Sequence, residues 1–121
     1  MMNRWVLLEH KVGSDNSLDI HYDFLVENGM DCLTWKFLKL PLLNKSSTEI
    51  FKQPNHRLVW LSRVEHELSS NRGFVKRIDH GIFKNVSDKF DSESFRFILD
   101  GTLLYGLIEI SGNSCRLSRN N

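Results

Sequence analysis

A chain of 121 residues with 40% hydrophobic and 26% charged residues has the balance of a single globular domain, which we place at 1–121. No apolar run approaches the roughly 20 residues that a membrane-spanning helix needs. The apolar run after Arg4 is too short for the core of a signal peptide. The net charge of +1 argues against a protein that holds long nucleic acid by bulk electrostatics.

The cysteines indicate the redox compartment of the protein, and the distribution of charge bears on its possible ligands. Cys32 and Cys115 lack the paired spacing of a zinc ribbon, and without a secretory signal they predict free thiols in a reducing, cytoplasmic compartment. Between residues 52 and 77 there are six basic residues and two acidic ones, a local charge of +4. This excess is either a solvated surface or a patch for a phosphate-bearing ligand.

Apolar and polar residues alternate with a period of two along most of the chain, which is typical of half-buried strands. The alternation is clearest from 20 to 27, where His21 and Asp23 share one face. Asn28-Gly29 and Asp100-Gly101 are strong signals for hairpin turns. In chain order, the predicted strands cover 4–10, 20–27, 32–40, 56–62, 74–79, 82–86, 95–99 and 103–110.

The segments between these strands are polar. Residues 41–55, which contain Pro41 and Pro54, are predicted as a loop, and 64–72 as a connection with room for a short helical turn at 65–70. A turn at 88–94 and a frayed end at 118–121 complete the chain. Six to eight short strands with such turns predict an all-β fold, a compact and mostly antiparallel β-barrel or a sandwich.

One pair of residues suggests chemistry. Residues i and i+2 of a strand point the same way, so the imidazole of His21 and the carboxylate of Asp23 stand side by side. His10, at the end of the first strand, adds a third ligand if the first two strands are neighbours. Two histidines and one carboxylate suit Mn, Fe, Zn or Co, and the set alone does not choose among them. Judged by spacing alone, solvated polar residues on an exposed strand are the commoner case.

The remaining histidines and turns carry weaker signals. His56 opens a predicted strand and could donate a hydrogen bond to a phosphate oxygen, although a surface histidine is the commoner case. His66 and His80 lie in polar turns and are predicted at the surface. The segment 69–73 either binds an anion through backbone N–H groups or is an ordinary turn, since it lacks the glycine spacing of a P-loop.

His10, the tetrapeptide 21–24 (His-Tyr-Asp-Phe) and the strand around Trp35 together resemble the 3′-phosphoesterase module of bacterial DNA ligase D. The resemblance continues in the same order through His56-Arg57-Leu58-Val59-Trp60, and it covers nearly the whole chain. Its later parts are 72–75, 78–81, 95–97 and 99–106. The chain is similar to a small stand-alone relative of that module, without polymerase or ligase domains.

The resemblance implies a β-barrel with a manganese-dependent site, with zinc or cobalt as alternatives, that removes a 3′-phosphate or a terminal 3′-ribonucleotide from DNA ends. Carried over by residue, His10, His21 and Asp23 match the metal ligands, and His56 matches the histidine that contacts the reacting phosphate. It also implies a DNA 3′ terminus as ligand, a repair ligase as a possible partner, and no membrane association. The oligomeric state stays open.

Two family positions are altered. The family arginine two residues after Asp23 is Leu25, which cannot hold a phosphate bidentately, and the family tyrosine is Trp60. Arg57, Arg72 and Arg77, together with Arg63, are the candidate substitutes for phosphate binding. Two functions therefore remain: a metal-dependent 3′-phosphoesterase for DNA ends, or a metal- and DNA-end-binding repair accessory that has lost efficient chemistry.

Overall fold

We analysed a computed structural model that describes residues 3–14, 17–68, 72–88 and 93–119. The described residues form nine strands and one short 3₁₀ helix, Leu58–Leu61. The strands are β1 (Arg4–Ser14), β2 (Ser17–Asn28), β3 (Asp31–Phe37), β4 (Thr48–Arg57), β5 (Glu65–Glu67), β6 (Phe74–Asn85), β7 (Ser94–Asp100), β8 (Tyr105–Ser111) and β9 (Ser114–Ser118). The described part of the chain contains no helix long and apolar enough to cross a membrane.

Eight of the strands close into a ring. They follow the order β1-β2-β3-β4-β9-β8-β7-β6, and the ring closes where β6 pairs with β1. The short strand β5 adds to β6 outside this ring. All the pairings are antiparallel. The predicted all-β, antiparallel, barrel-like fold is therefore confirmed.

Alternate residues of the same strands form two separate hydrophobic clusters. On β1, Trp5 and Leu7 join a large cluster to which every ring strand contributes, so this cluster fills the ring. The alternate residues of β1, Val6 and Leu8, join a smaller cluster. Leu25 of β2 belongs to the same cluster. This outer cluster lies on the outside of the ring, where residues 58–61 and Leu68 cover it. Because successive side chains of a strand point to opposite faces, β1 and β2 contribute to one hydrophobic cluster inside the ring and to another outside it.

The prediction for 41–62 is wrong in part, because β4 covers Thr48–Arg57 and the predicted strand 56–62 becomes the 3₁₀ helix after it. Pro54 misled the prediction. The pairing of β3 with β4 shifts between Thr34↔Gln53 and Cys32↔His56, so Pro54 lies in a bulge. A bulge accommodates a residue without an N–H group, and the strand continues through it.

Two further predictions need correction. Residues 65–67 form a strand rather than a helical turn, and 74–79 and 82–86 are parts of a single strand, β6, rather than a hairpin. His80 and Gly81 do not form the predicted turn. Gly81 instead lies within the strand, where other side chains approach its backbone closely. A Cβ atom there would meet the side chains of Asp100 and Trp5.

The two predicted hairpins are present. Gly29 has φ +69° in the two-residue turn 29–30, which the pair Asn28 and Asp31 closes, and β7 pairs with β8 around the loop 101–104. The buried carboxylate of Asp79 holds that loop by accepting the backbone N–H groups of Thr102, Leu103 and Leu104 at 2.8–2.9 Å. The frayed end predicted at 118–121 lies largely outside the described residues, although Ser118 ends β9.

Both cysteines are free, as predicted, and both are buried. Cys32 belongs to the outer cluster, and Cys115 belongs to the cluster that fills the ring. The two thiols are therefore separated by the sheet itself.

Candidate metal centre

Two neighbouring strands bring His10, His21 and Asp23 together. His10 of β1 is the direct cross-strand partner of His21 of β2, and directly paired residues point to the same side of a sheet. Asp23 follows two residues later on that side, which is the outer face of the ring. The sequence condition for a third ligand, that the first two strands are neighbours, is met.

The three side chains converge closely. The Nδ1 atom of His10 lies 3.1 Å from Nε2 of His21, and the carboxylate of Asp23 lies 3.9 Å from the first nitrogen and 3.5 Å from the second. One ligand atom of each residue falls within 4.8 Å of the others. The side chains are 13–18% exposed, so the cluster is shielded but still reachable from solvent.

These distances can be compared with the requirement of a bound ion. Two ligand atoms about 2.1 Å from one ion, at octahedral to tetrahedral bond angles, lie about 3.0–3.4 Å apart. The separations of 3.1, 3.5 and 3.9 Å match this requirement after movements of a few tenths of an ångström. Nitrogen and carboxylate donors in this number also leave coordination positions open for water or a ligand. The residues therefore fit a divalent transition metal.

The backbone of the 72–73 segment sets the tautomer of His10. Its Nε2 atom lies 2.9 Å from the carbonyl oxygen of Arg72, and because a carbonyl only accepts, Nε2 must carry the proton. In the neutral ring Nδ1 then has a free lone pair, which is the state that a metal ligand needs. With His10 in this tautomer, the donor of the 3.1 Å hydrogen bond between the two rings is the Nε2–H of His21, and Nδ1 of His10 is the acceptor.

Gly73 allows the chain to pass this close to β1. Its φ is +106°, and a Cβ atom there would collide with the carbonyl oxygen of Lys11. A side chain at position 73 would therefore push the Arg72 carbonyl away from His10. The 69–73 segment, predicted as either an anion site or a turn, contributes this carbonyl, while 69–71 lie outside the described residues.

The cluster forms one wall of a pocket of about 220 Å³ on the outer face. His56 and Gln53 of β4 add polar groups to the lining. The remaining lining side chains are apolar, namely Leu8, Trp60, Leu68 and Val75. Leu8 and Val75 lie beside the cluster as strand partners of Asp23 and His10, whereas Trp60 and Leu68 form an apolar wall that belongs to the 3₁₀ helix and the segment after it.

His56 is oriented by its own strand. Its Nδ1 atom lies 3.1 Å from the carbonyl oxygen of Pro54, so Nδ1–H is the donor of that bond. The bulge at Pro54 therefore both moves His56 to the outer face and fixes its ring. The Nε2 atom remains for a ligand in the pocket, and it can donate a hydrogen bond when the ring is protonated.

The predicted phosphate-binding arginines do not join His56 in this pocket. Arg57 is exposed beside Asp31 at the end of β4, and Arg77 lines a different pocket with Arg4 and His80. Arg72 contributes its backbone carbonyl to His10, and its side chain is exposed. Among the described residues that line the pocket at His10, none is an arginine or lysine.

The two altered family positions have distinct environments. Leu25 is completely buried in the outer cluster, below the pocket rather than in its lining. Trp60 lines the pocket directly. Its indole has the Arg63 guanidinium over the ring at 4.7 Å and the His66 ring edge-on at 5.4 Å. His66, predicted at the surface, is thus half-buried against Trp60, whereas His80 is exposed as predicted.

Two polar residues near the cluster were not found by sequence reasoning. Gln53 was assigned to a loop because Pro54 follows it, so its place on the outer face was not foreseen. Lys36 is the direct partner of Asp23 on β3, and its side chain is half-buried on the same face. Its position follows from the pairing of β2 with β3 through the Asn28-Gly29 turn, which is the signal that could have placed it.

Comparison with known proteins assigns no family to this chain. A scan against protein-family models finds no match, and a search of curated proteins finds none.

Proposed function

We propose that this protein is a metal-dependent phosphoesterase that acts on DNA 3′ ends and removes a 3′-phosphate or a terminal ribonucleotide. The observation that carries the proposal is the convergence of His10, His21 and Asp23 at distances suited to one ion, with His56 in the same pocket. The sequence resemblance to the 3′-phosphoesterase module of DNA ligase D supports the same residues in the same roles.

The roles follow from the chemistry of each group. His10, His21 and Asp23 would hold the ion, manganese in the first instance with zinc or cobalt as alternatives, and His10 is kept in the ligating tautomer by the Arg72 carbonyl. A bound divalent ion supplies Lewis-acid polarisation of a phosphoryl oxygen and neutralises developing charge. His56 would donate from Nε2 to another phosphoryl oxygen, because Nδ1 is already committed to Pro54.

The test of this proposal is phosphate release from a primer–template with a 3′-phosphate, with Mn²⁺ added. Asp23→Asn keeps the size of the side chain and removes its charge, and we expect it to lower the rate by at least about a hundredfold. Asp19→Asn is the matched control, because Asp19 is an exposed acid on the same strand outside the cluster. A wild-type rate no higher than that of Asp23→Asn would refute the enzyme proposal for this substrate.

A second candidate function is a metal- and DNA-end-binding accessory in repair that works beside a ligase and turns over poorly. The absence of arginine and lysine from the described lining favours it, because charge-assisted phosphate contacts contribute strongly to phosphoryl-transfer catalysis. This candidate predicts Mn²⁺-dependent binding of a 3′-phosphorylated end that Asp23→Asn weakens, without release of phosphate over hours. Release at a measurable rate would leave the first candidate.

A further inference from the structure

We propose that the apolar wall of the pocket is a nucleobase subsite centred on Trp60, so that the preferred ligand is a phosphate ester attached to a flat aromatic ring. The inference rests on the proposed function, because the metal centre is what would place the phosphate. The subsite would bind the nucleobase, which is the part of the ligand that the metal cluster and His56 do not contact.

The division of the pocket supports this ligand class. The metal cluster, His56 and Gln53 suit an anionic head with hydrogen-bonding oxygens. Trp60 and Leu68 come from the 58–68 segment that covers the outer cluster, and apart from the indole N–H they present only apolar surface. The other two apolar lining residues, Leu8 and Val75, lie beside the cluster as strand partners of Asp23 and His10. A free phosphate ion would leave the apolar side in contact with water, whereas a nucleotide would cover it.

Trp60 is held in place before any ligand arrives. Its backbone lies in the 3₁₀ helix, and its side chain packs against the outer cluster. Arg63 lies over the ring at 4.7 Å, and His66 meets it at an interplanar angle of 87°. Because Arg63 occupies one face of the indole, a base would stack on the other face, and a ring fixed in this way loses little conformational entropy when a second ring packs against it.

Aromatic character, rather than apolar character alone, distinguishes a base from other groups that could fill this wall. Base–indole stacking strengthens binding by about tenfold or more and tolerates every base, since each presents a π-face. A lipid or sugar phosphate would not gain this contribution. The proposal therefore predicts selection for a flat ring with little preference among bases.

The experiment measures binding of phosphonates, whose P–C bond resists hydrolysis, by calorimetry with Mn²⁺ present. We expect a thymidine 3′-phosphonate to bind about tenfold tighter than methylphosphonate. Benzylphosphonate should likewise bind several-fold tighter than cyclohexylmethylphosphonate, which has the same skeleton without the aromatic ring. Equal affinities within either pair would overturn the proposal.

Three variants locate the effect. Trp60→Leu should reduce the preference for thymidine phosphonate over methylphosphonate to about twofold or less, and Trp60→Phe should keep most of the preference. Tyr105→Leu, at an exposed aromatic residue outside the pocket, should change neither. A Trp60→Leu protein that keeps the full preference would refute the subsite. If that variant does not fold, Trp60→Phe and the matched phosphonate pairs decide.

Failure of the metal proposal can be told apart from failure of this one. Thymidine titrated in the presence of a chelator should quench the emission of the wild type more than that of Trp60→Phe, because Trp5 and Trp35 are buried at 0% and 1% exposure. If methylphosphonate does not bind with Mn²⁺ but this difference is observed, the metal site fails and the base subsite stands. If the quenching is equal in both proteins, the base subsite fails.

Discussion

Leu25 shows how one buried side chain limits what the pocket can gain. The resemblance described above would lead one to expect that an arginine at this position raises activity, since the resembling family has one there. The leucine is 0% exposed in the outer cluster, among apolar side chains that offer a guanidinium no partner. The environment of position 25 thus differs from the one that an arginine would need.

We therefore predict that Leu25→Arg destabilises the protein by roughly 3 kcal/mol or more and does not raise phosphatase activity. Leu25→Met, which conserves volume, should cost less than about 1.5 kcal/mol. Urea unfolding gives both values, and the phosphate-release assay gives the activity. A Leu25→Arg protein with the wild-type midpoint and a faster rate would mean that the guanidinium reaches the pocket after all.

Glu27 gives a pH dependence with a defined direction. Its carboxylate accepts two hydrogen bonds from the Arg4 side chain at 3.1 Å, and these bonds hold the pKa of Glu27 below its usual 4.5. A carboxyl whose pKa is lower in the folded state stabilises the fold above pH 4.5, and the contribution is lost as the pH falls through the folded-state pKa.

The melting temperature of Glu27→Gln should therefore lie below that of the wild type by a constant gap above about pH 5.5, and the gap should narrow below pH 4.5. Glu49→Gln, at an exposed position on β4, serves as the control and should show little change with pH. A gap for Glu27→Gln that is the same at pH 3 and pH 7 would contradict the role of the ion pair.

The composition of the candidate metal centre was largely predictable at the level of residues. His21 and Asp23 share a face because of strand periodicity alone, and His10 joins them because β1 and β2 form a hairpin. The apolar wall was not predictable, because it depends on where residues 58–68 pass over the sheet, and no local pattern encodes that. The tautomer of His10 likewise depends on a carbonyl that is 62 residues away in the chain.

Among the elements, the loop 101–104 depends on one side chain of another strand. Asp79 of β6 accepts three of that loop's backbone N–H groups and is 5% exposed. An amide in its place keeps one acceptor oxygen and turns an NH₂ group toward donors. Buried donors left without an acceptor carry their full desolvation cost.

We predict that Asp79→Asn lowers the free energy of unfolding by about 2–3 kcal/mol. Asp100→Asn is the control, since exposed Asp100 accepts a backbone hydrogen bond from Ile82 at 3.0 Å, and the loss of this bond should cost about 1 kcal/mol or less. Denaturant unfolding measures both. Equal losses in the two variants would show that the loop does not depend on the Asp79 carboxylate.

The elements that the sequence predicted well are those with two-sided alternation or an Asx-Gly turn, such as β2, β3 and the β7–β8 hairpin. The failures lie at β4, at β5, at the 3₁₀ helix, at β6, which was predicted as two strands, and at β9, which was not predicted. Pro54 is an ordinary loop signal unless a bulge is already known, and the three residues of β5 are paired only because β6 offers an edge. Tertiary context overrides propensity in both places.

At the scale of the whole molecule, the two thiols report on global unfolding. Burial raises the pKa of the Cys32 thiol to about 11, and burial also raises the pKa of Cys115. Because the thiolate is the reactive form, neither should react with a thiol reagent in the native state at neutral pH.

We predict that an aromatic disulfide reagent modifies both cysteines only as fast as the protein unfolds, and modifies them at once in concentrated guanidinium. A Ser47→Cys variant, at an exposed position, provides the control and should react rapidly at one thiol in the native state. Fast native modification of the wild type would mean that one cluster opens locally.

The bulge at Pro54 has a consequence for the behaviour of the protein at high concentration. Among the described residues β4 pairs with β9 at Thr48 and Glu49 alone, so over 51–57 one side of β4 has no strand beside it. A net charge of +1 supplies little repulsion between molecules. Pro54 removes a donor and bends this side of the strand, while two exposed glutamates mark the short strand β5. We therefore expect the shape of the strand edges, rather than the net charge, to limit self-association at high concentration.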